Sequence, residues 1–351
     1  MMMLRANLIE PRKLILEQAP VPMPGSGQVR LKIETCGVCG SDIHAYYGEH
    51  PYIQCPIAPG HEFAGRIDML GSDVTGWQIG QAVLTEPSLV CGQCENCRNG
   101  KYNICDNLKV IGCQSDGGFA EYLVVPANKL IEMSAGMTFE QGSFVEPLAV
   151  GVHGLREAPI NADSRLLILG AGTIGLMHLL TAHAWGIKDI TITDTIQSKL
   201  DLALELGATH AVNVKQTPLA DFCSDLYGAE RIFDVAIECV GVGGTVRDGM
   251  LALKKGGTMV VVGVFPHEVP VNMGLVQDRE LKLRGSLMYR MEDFIEARDL
   301  IASGRAPIDT LITARYPLDQ IAAAMTAIDE HPERNIKTMI HIRPQPAVSQ
   351  P

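Results

Sequence analysis

Two hydrophobic periodicities divide the chain. Over the first third, apolar and polar positions alternate in short runs: VRLKIETCG (29–37), HEFAGRIDML (61–70) and FAEYLVVP (119–126). A period of two predicts strands with one buried face, and turn signals such as APG and GSD separate them. Many short strands punctuated in this way predict a partly open barrel or a sandwich.

Near residue 160 the texture changes. RLLILG (165–170), FDVAIECVG (233–241) and TMVVVGVF (258–265) are almost wholly apolar, and DITITD (189–194) reads as a further strand. Between them lie the helical patterns AGTIGLMHLLTAHAWG and SKLDLALELGA (198–208), the second closed by Gly207. Apolar strands alternating with helices predict a parallel sheet covered on both faces. After residue 290, EDFIEARDLIASG is helical again, and KTMIHIRP is a strand able to rejoin the first region. The expected class is therefore α/β with two domains. Residues 1–155 and 290–351 form a β-rich domain, and 156–289 form a doubly wound, Rossmann-type domain. No internal repeat interrupts this plan.

Composition narrows the partners. A chain of 351 residues exceeds one typical core, and 46% hydrophobic with 20% charged residues suits a soluble globular enzyme. The formal net charge of −11 has the wrong sign for a nucleic-acid footprint. No run of 18 apolar residues exists, and Arg5, Glu10 and Arg12 interrupt any signal-peptide core, so the expected location is cytoplasmic, without membrane association. There the ten cysteines serve metal or catalysis rather than disulfides. Cys91, Cys94, Cys97 and Cys105 cluster as C-x2-C-x2-C-x7-C, and Cys36 and Cys39 form a second group. Cys55, Cys113, Cys223 and Cys239 are scattered and read as small buried hydrophobes.

GAGTIG (170–175) matches G-x-G-x-x-G between a strand and a helix, the context that a dinucleotide site requires. Gly170 permits the tight turn, Gly172 lets a pyrophosphate approach the backbone, and Gly175 lets helix and strand pack closely. Thr173, Ile174 and Gly263 complete the candidate cofactor set, and the helix N-terminus offers amide hydrogens to the phosphates. Asp194 ends the second strand, where a carboxylate accepts the ribose hydroxyls and repels a 2′-phosphate. No arginine follows in TIQSK, which favours NAD over NADP. Lys199 reads either as an adenosine contact or as a surface lysine.

A nicotinamide cofactor needs an activated substrate. Cys39, His61 and a carboxylate make three ligands with an open position, the pattern of a catalytic zinc. The four-cysteine loop instead fits a closed tetrahedral site.

Taken in order, GVCGSDIH, APGHEFAG, the four-cysteine loop, FVEPLAVGVH and GAGTIG resemble the zinc-dependent medium-chain dehydrogenases over most of the chain. The likeness is greatest to the polyol (sorbitol-like) and sugar-acid branch. The resemblance implies a GroES-like catalytic domain, NAD, and two zinc ions per subunit. Cys39 and His61 match the catalytic zinc ligands. Glu62 and Glu146 both match carboxylates that hold the zinc or its water, and either is a candidate ligand. Asp42 matches the residue hydrogen-bonded to the zinc histidine. Ser41 and His44 match the relay that carries the alcohol proton to solvent, with a surface role as the rival reading of His44. Cys36 is a bystander. The tetrad Cys91, Cys94, Cys97 and Cys105 becomes a structural zinc site.

Sorbitol-like enzymes carry an Arg-Tyr pair where this chain has Met288-Tyr289, with Arg290 one position later. Tyr289 remains the candidate substrate contact, while sorbitol itself is put in question. An L-threonine 3-dehydrogenase-like or general alcohol dehydrogenase activity is the alternative, although threonine enzymes read DPFGNAVH where this chain reads EPLAVGVH. A nucleic-acid-binding zinc module needs basic and aromatic neighbours, and the loop sets only Arg98, Lys101 and Tyr102 against Glu95 and Asp106. A sensor that has lost catalysis does not explain the intact ligand and relay set. The resemblance further implies a homo-oligomer, a tetramer being favoured, acting on a small molecule.

Overall fold

The computed structural model describes residues 1–342. The tail 343–351, with the last two residues of KTMIHIRP, lies outside the described residues. The chain folds as two compact units: residues 1–146 with the segment from 308 onward, and residues 147–307. The expected boundaries at 155/156 and 289/290 therefore move. Buried Asp293, on helix Met291–Ala302, pairs with His153 Nδ1 at 2.9 Å and with Arg156, both on helix Val145–Arg156. This network joins the two helices to each other, and Trp185 Nε1, which donates to Glu296 Oε1 at 2.8 Å, ties them into the second unit.

In the first unit, the alternation in VRLKIETCG produces strand Gln28–Val38, with Val29, Leu31 and Ile33 fully buried. That strand is central to a seven-stranded mixed sheet. Its neighbours in order are Lys337–His341 on one side and Glu62–Leu70 on the other, while Tyr122–Pro126 also pairs with it. The register sets Gly37 opposite Glu62 and Val38 opposite Thr338. Leu31, Phe63, Ile67, Phe119 and Ile340 share one hydrophobic core. A hairpin, Met2–Glu10 with Lys13–Pro20, precedes the sheet and was not anticipated as strands.

The second unit is a six-stranded parallel sheet in the order His210–Asn213, Asp189–Asp194, Arg165–Leu169, Phe233–Glu238, Leu253–Val261, Lys282–Gly285. Leu166, Leu167 and Ile168 are all fully buried, which explains an apolar run without alternation. The chain winds outward from Arg165–Leu169 in one direction and resumes at Phe233–Glu238 in the other. That reversal creates a crevice at the carboxyl ends of these two strands, where open α/β sheets take ligands. No helix among the described residues is long and apolar enough to cross a membrane.

Candidate metal and dinucleotide sites

Cys39 leaves strand Gln28–Val38 and caps helix Gly40–Tyr47. His61 and Glu62 stand where strand Glu62–Leu70 begins. The Cys39 thiol, a His61 ring nitrogen and a Glu62 carboxylate oxygen lie within 4.8 Å of one another. A soft thiolate, an imidazole and a carboxylate together suit zinc, and three protein donors leave a coordination position for substrate. Glu146 is buried in the first turn of helix Val145–Arg156 but does not join that close set.

Glu62 has a partner that the sequence reading missed. Lys337 Nζ, at the start of strand Lys337–His341, sits 2.6 and 2.7 Å from the two Glu62 oxygens and 3.1 Å from the Val38 carbonyl. Lys337 is 1% exposed and Glu62 0%. Burial by itself lowers the Lys337 ammonium, but Glu62, Cys39 and Glu146 hold it above its ordinary value. Gly37 makes the pairing sterically feasible. A Cβ there would fall 2.1 Å from Glu62 Oε2.

Asp42 is 2% exposed; its Oδ2 accepts the Cys39 amide at 3.0 Å, fixing the start of the helix. Its Oδ1 faces His61 Nδ1 at 3.8 Å, an ion-pair separation longer than the hydrogen bond expected there. Burial raises the Asp42 carboxyl, against which the His61 charge acts. Cys113 Sγ lies 3.8 Å from the same His61 Nδ1, so Cys113 is a neighbour of the site and not a simple core hydrophobe. Ser41 Oγ is buried without a hydrogen-bond partner. His44 has a half-exposed side chain near Glu49. Ser41 and His44 share one helical face at i, i+3. Cys36 is fully buried and burial pushes its thiol well up, as befits a bystander.

The second cluster gathers Cys91, Cys94, Cys97 and Cys105, again with ligand atoms within 4.8 Å. Backbone amides point at the sulfurs: Cys94 N to Cys91 Sγ and Cys91 N to Cys105 Sγ, each 3.3 Å, and Cys97 N to Cys94 Sγ at 3.5 Å. Amide hydrogens of Gln93 and Cys94 hold the Cys91 thiol down at about 6. Burial and the neighbouring sulfurs push the Cys97 thiol the other way, up to about 12, so the four are not all held as thiolates without a metal. Four thiolates would fill a tetrahedral zinc without leaving a vacant position.

In the second unit, strand Arg165–Leu169 passes through Gly170, at φ 102°, into helix Thr173–Ala184. A Cβ on Gly175 would meet Gly170 O at 1.8 Å, whereas one on Gly172 would meet nothing within 4 Å. Gly175 thus serves close packing, and the space above Gly172 is open for a pyrophosphate. Gly172 provides no side-chain cap at the start of this helix, the end at which an anion is favoured. Asp194 Oδ2 accepts Ala171 N at 2.8 Å, and its Oδ1 accepts Thr195 N and Ile196 N at 2.7 and 2.9 Å. The carboxylate is therefore fixed beside the fingerprint turn. Lys199 is half-buried in the following helix, Gln197–Glu205. Gly263 packs against Gly241, where a Cβ would approach Gly241 N to 2.4 Å. Val240, Val242 and Val264 nearby are 46%, 48% and 47% exposed, an apolar rim that the sequence reading did not single out. Tyr289, the candidate substrate contact, is fully buried and stacked on Phe294 with centroids 5.6 Å apart.

Residues 25–135 match the alcohol dehydrogenase GroES-like domain, and residues 173–303 match the zinc-binding dehydrogenase domain. A sorbitol dehydrogenase from Halalkalibacterium halodurans is 33% identical over 89% of this chain and 92% of its own length. An L-threonine 3-dehydrogenase from Xanthomonas axonopodis pv. citri is 34% identical over 90% of this chain and 93% of its own. Among solved structures, an alcohol dehydrogenase from Escherichia coli CFT073, complexed with NADH, superposes with a TM-score of 0.92. It is 27% identical and covers 97% of this chain and 99% of its own.

Proposed function

Because the chain belongs to the zinc-dependent medium-chain dehydrogenase family, we propose that it oxidises a secondary alcohol of a polyol, sugar or sugar acid with NAD, and reduces the ketone in reverse. The observation that carries this reading is the Cys39, His61 and Glu62 donor set in a chain that also holds a separate four-thiolate cage. When bound, zinc supplies Lewis acidity to the substrate oxygen, and NAD supplies the hydride acceptor. The partnerless Ser41 hydroxyl is suited to accept the substrate's alcohol proton, and His44, whose side chain is 51% exposed, to hand a proton to solvent. Asp42 orients His61, while the tetrad holds a second, structural zinc. Asp194 supports NAD over NADP, since a fixed carboxylate repels a 2′-phosphate.

The threonine dehydrogenase relatives favour a second reading, with an amino-alcohol substrate. Homo-oligomerisation is supported by the exposed edge strand Lys282–Gly285, where Leu283 is 39% exposed and the strand edge invites a partner strand; the tetramer is what the resemblance favours. Sedimentation as a monomer would remove that claim. Ten free cysteines support a cytoplasmic location.

The test is a panel of polyols, sugars, sugar acids and threonine with zinc-replete protein, with NAD or NADP, read as reduced cofactor. Turnover with NAD on a polyol or sugar acid, lost on chelation, is expected. Turnover confined to threonine moves the conclusion to the second reading, and folded, zinc-loaded protein inert on every compound overturns both.

A further inference from the structure

Glu238 ends strand Phe233–Glu238, with Leu169 opposite it on one neighbouring strand and Val261 on the other. It is fully buried. Its Oε1 accepts Val240 N at 2.9 Å, Gly241 N at 2.8 Å and Thr245 Oγ1 at 2.7 Å. Its Oε2 is buried without a hydrogen-bond partner. The next loop closes on the same residue. Val262 N and Gly263 N donate to the Glu238 carbonyl at 2.9 and 3.0 Å, and a Cβ on Gly263 would fall 2.5 Å from Oε2. All three donors to the carboxylate are neutral. Holding the 240–245 turn needs one acceptor atom, which an amide oxygen would supply as well, so the second oxygen and its charge are left over. Burying such a charge is costly unless a cation comes to it.

Strand order decides which part of a ligand comes near. Asp194 ends the strand on one side of Arg165–Leu169, and Glu238 ends the strand on the other. A dinucleotide with its adenosine ribose at Asp194 and its pyrophosphate at Gly172 therefore directs its nicotinamide half toward the loops that Glu238 holds. Those loops present the half-exposed side chains of Val240, Val242 and Val264, an apolar layer that screens a charge beneath it far less than water would. We propose that Glu238 sets the preference of this site for the redox state of its cofactor, favouring the cationic nicotinamide ring of NAD over the neutral ring of NADH. The inference rests on the NAD reading of the fingerprint site. Glu238 is a positioning residue, acting through its field and its loops without bonding the ring. Hydride transfer to the ring removes the positive charge and with it the attraction, so the reduced cofactor is held less tightly and leaves more readily.

Binding of the two redox states separates charge from loop support without turnover. NAD and NADH are titrated by calorimetry into the full, zinc-loaded chain as wild type, E238Q and T245V. E238Q keeps an oxygen for the three donors and loses the charge, so NAD is expected to weaken about tenfold relative to NADH. T245V loosens the loop and keeps the charge, so any loss falls on both forms and the ratio stays at its wild-type value. An unchanged ratio in E238Q overturns the proposal and leaves Glu238 a loop cap; an equal shift in T245V assigns the effect to the loop and overturns it too. Should E238Q not fold, E238D draws the charge back by one methylene and is expected to move the ratio the same way by about twofold. An unchanged ratio there overturns the proposal equally. If wild type binds neither form, the cofactor reading itself fails, whereas binding of both with no E238Q effect fails only this inference.

Discussion

In the 91–105 loop four sulfurs face one another and draw on backbone amide hydrogens; Cys39, His61 and Glu62 instead meet among buried side chains, with Lys337 paired to one of them. The loop is locally sufficient. Its donors come from fifteen consecutive residues and its own amides, so a metal there closes the loop and finishes its bonding. The other site is assembled from separate strands of the sheet and leaves its chemistry incomplete: Ser41 Oγ is orphaned and Glu62 is shared. A closed set of four donors fixes structure, while a set of three leaves a position for a further ligand. That difference supports the proposal that the louder motif is scaffold and the quieter one carries the chemistry.

Cys94→Ser is the change with the largest expected effect. It removes a ligand from a cage with no substitute donor, so the structural metal is lost, soluble yield falls and the thermal midpoint drops, as metal analysis and calorimetry would read. Wild-type yield and midpoint would collapse the distinction between the sites. Cys39→Ser probes the opposite pole. Turnover is expected to fall by about a thousandfold or more, the several kcal/mol supplied by Lewis-acid activation, with an unfolding transition close to wild type. Equal losses of fold in both variants would mean that the open site is structural too.

The two regions also differed in how visible they were from the sequence. The tetrad and GAGTIG were legible because their partners are near neighbours, and spacing alone constrains them. Strand Gln28–Val38 was legible for a similar reason: Val29, Leu31 and Ile33 alternate with polar residues on a half-buried face. Lys337 was not legible. Its partner lies 275 residues away, and a lysine opening a strand ordinarily reads as a surface residue. Cys113, 52 residues from His61, was hidden in the same way. The domain boundary moved because long-range contacts, such as Trp185 with Glu296 111 residues away, hold these helices to the second unit, which local periodicity does not encode. Tyr289 was placed by motif position alone, and its packing against Phe294 was not visible in the sequence.

The smallest of these effects tests how the open site is held rather than whether it exists. Asp42 divides its two oxygens between the Cys39 amide and the face of His61 Nδ1. With Nδ1 turned to Asp42 and Cys113, Nε2 is the ring atom left for the metal, which requires the proton on Nδ1. Asp42→Asn preserves size but has one acceptor. If its oxygen keeps the Cys39 amide, its NH2 confronts Nδ1–H; if it turns, the NH2 confronts the amide. Either way one donor meets another. The expected cost is about 10- to 100-fold in metal affinity or kcat/KM, carried through His61. The fold should lose about 1 kcal/mol, since the Cys39 amide lies at a helix start where caps have that worth. Competition with a chelator reads the first and calorimetry the second. A variant that binds metal as wild type does would show that Asp42 only caps the helix, and that the 3.8 Å approach to His61 is without consequence.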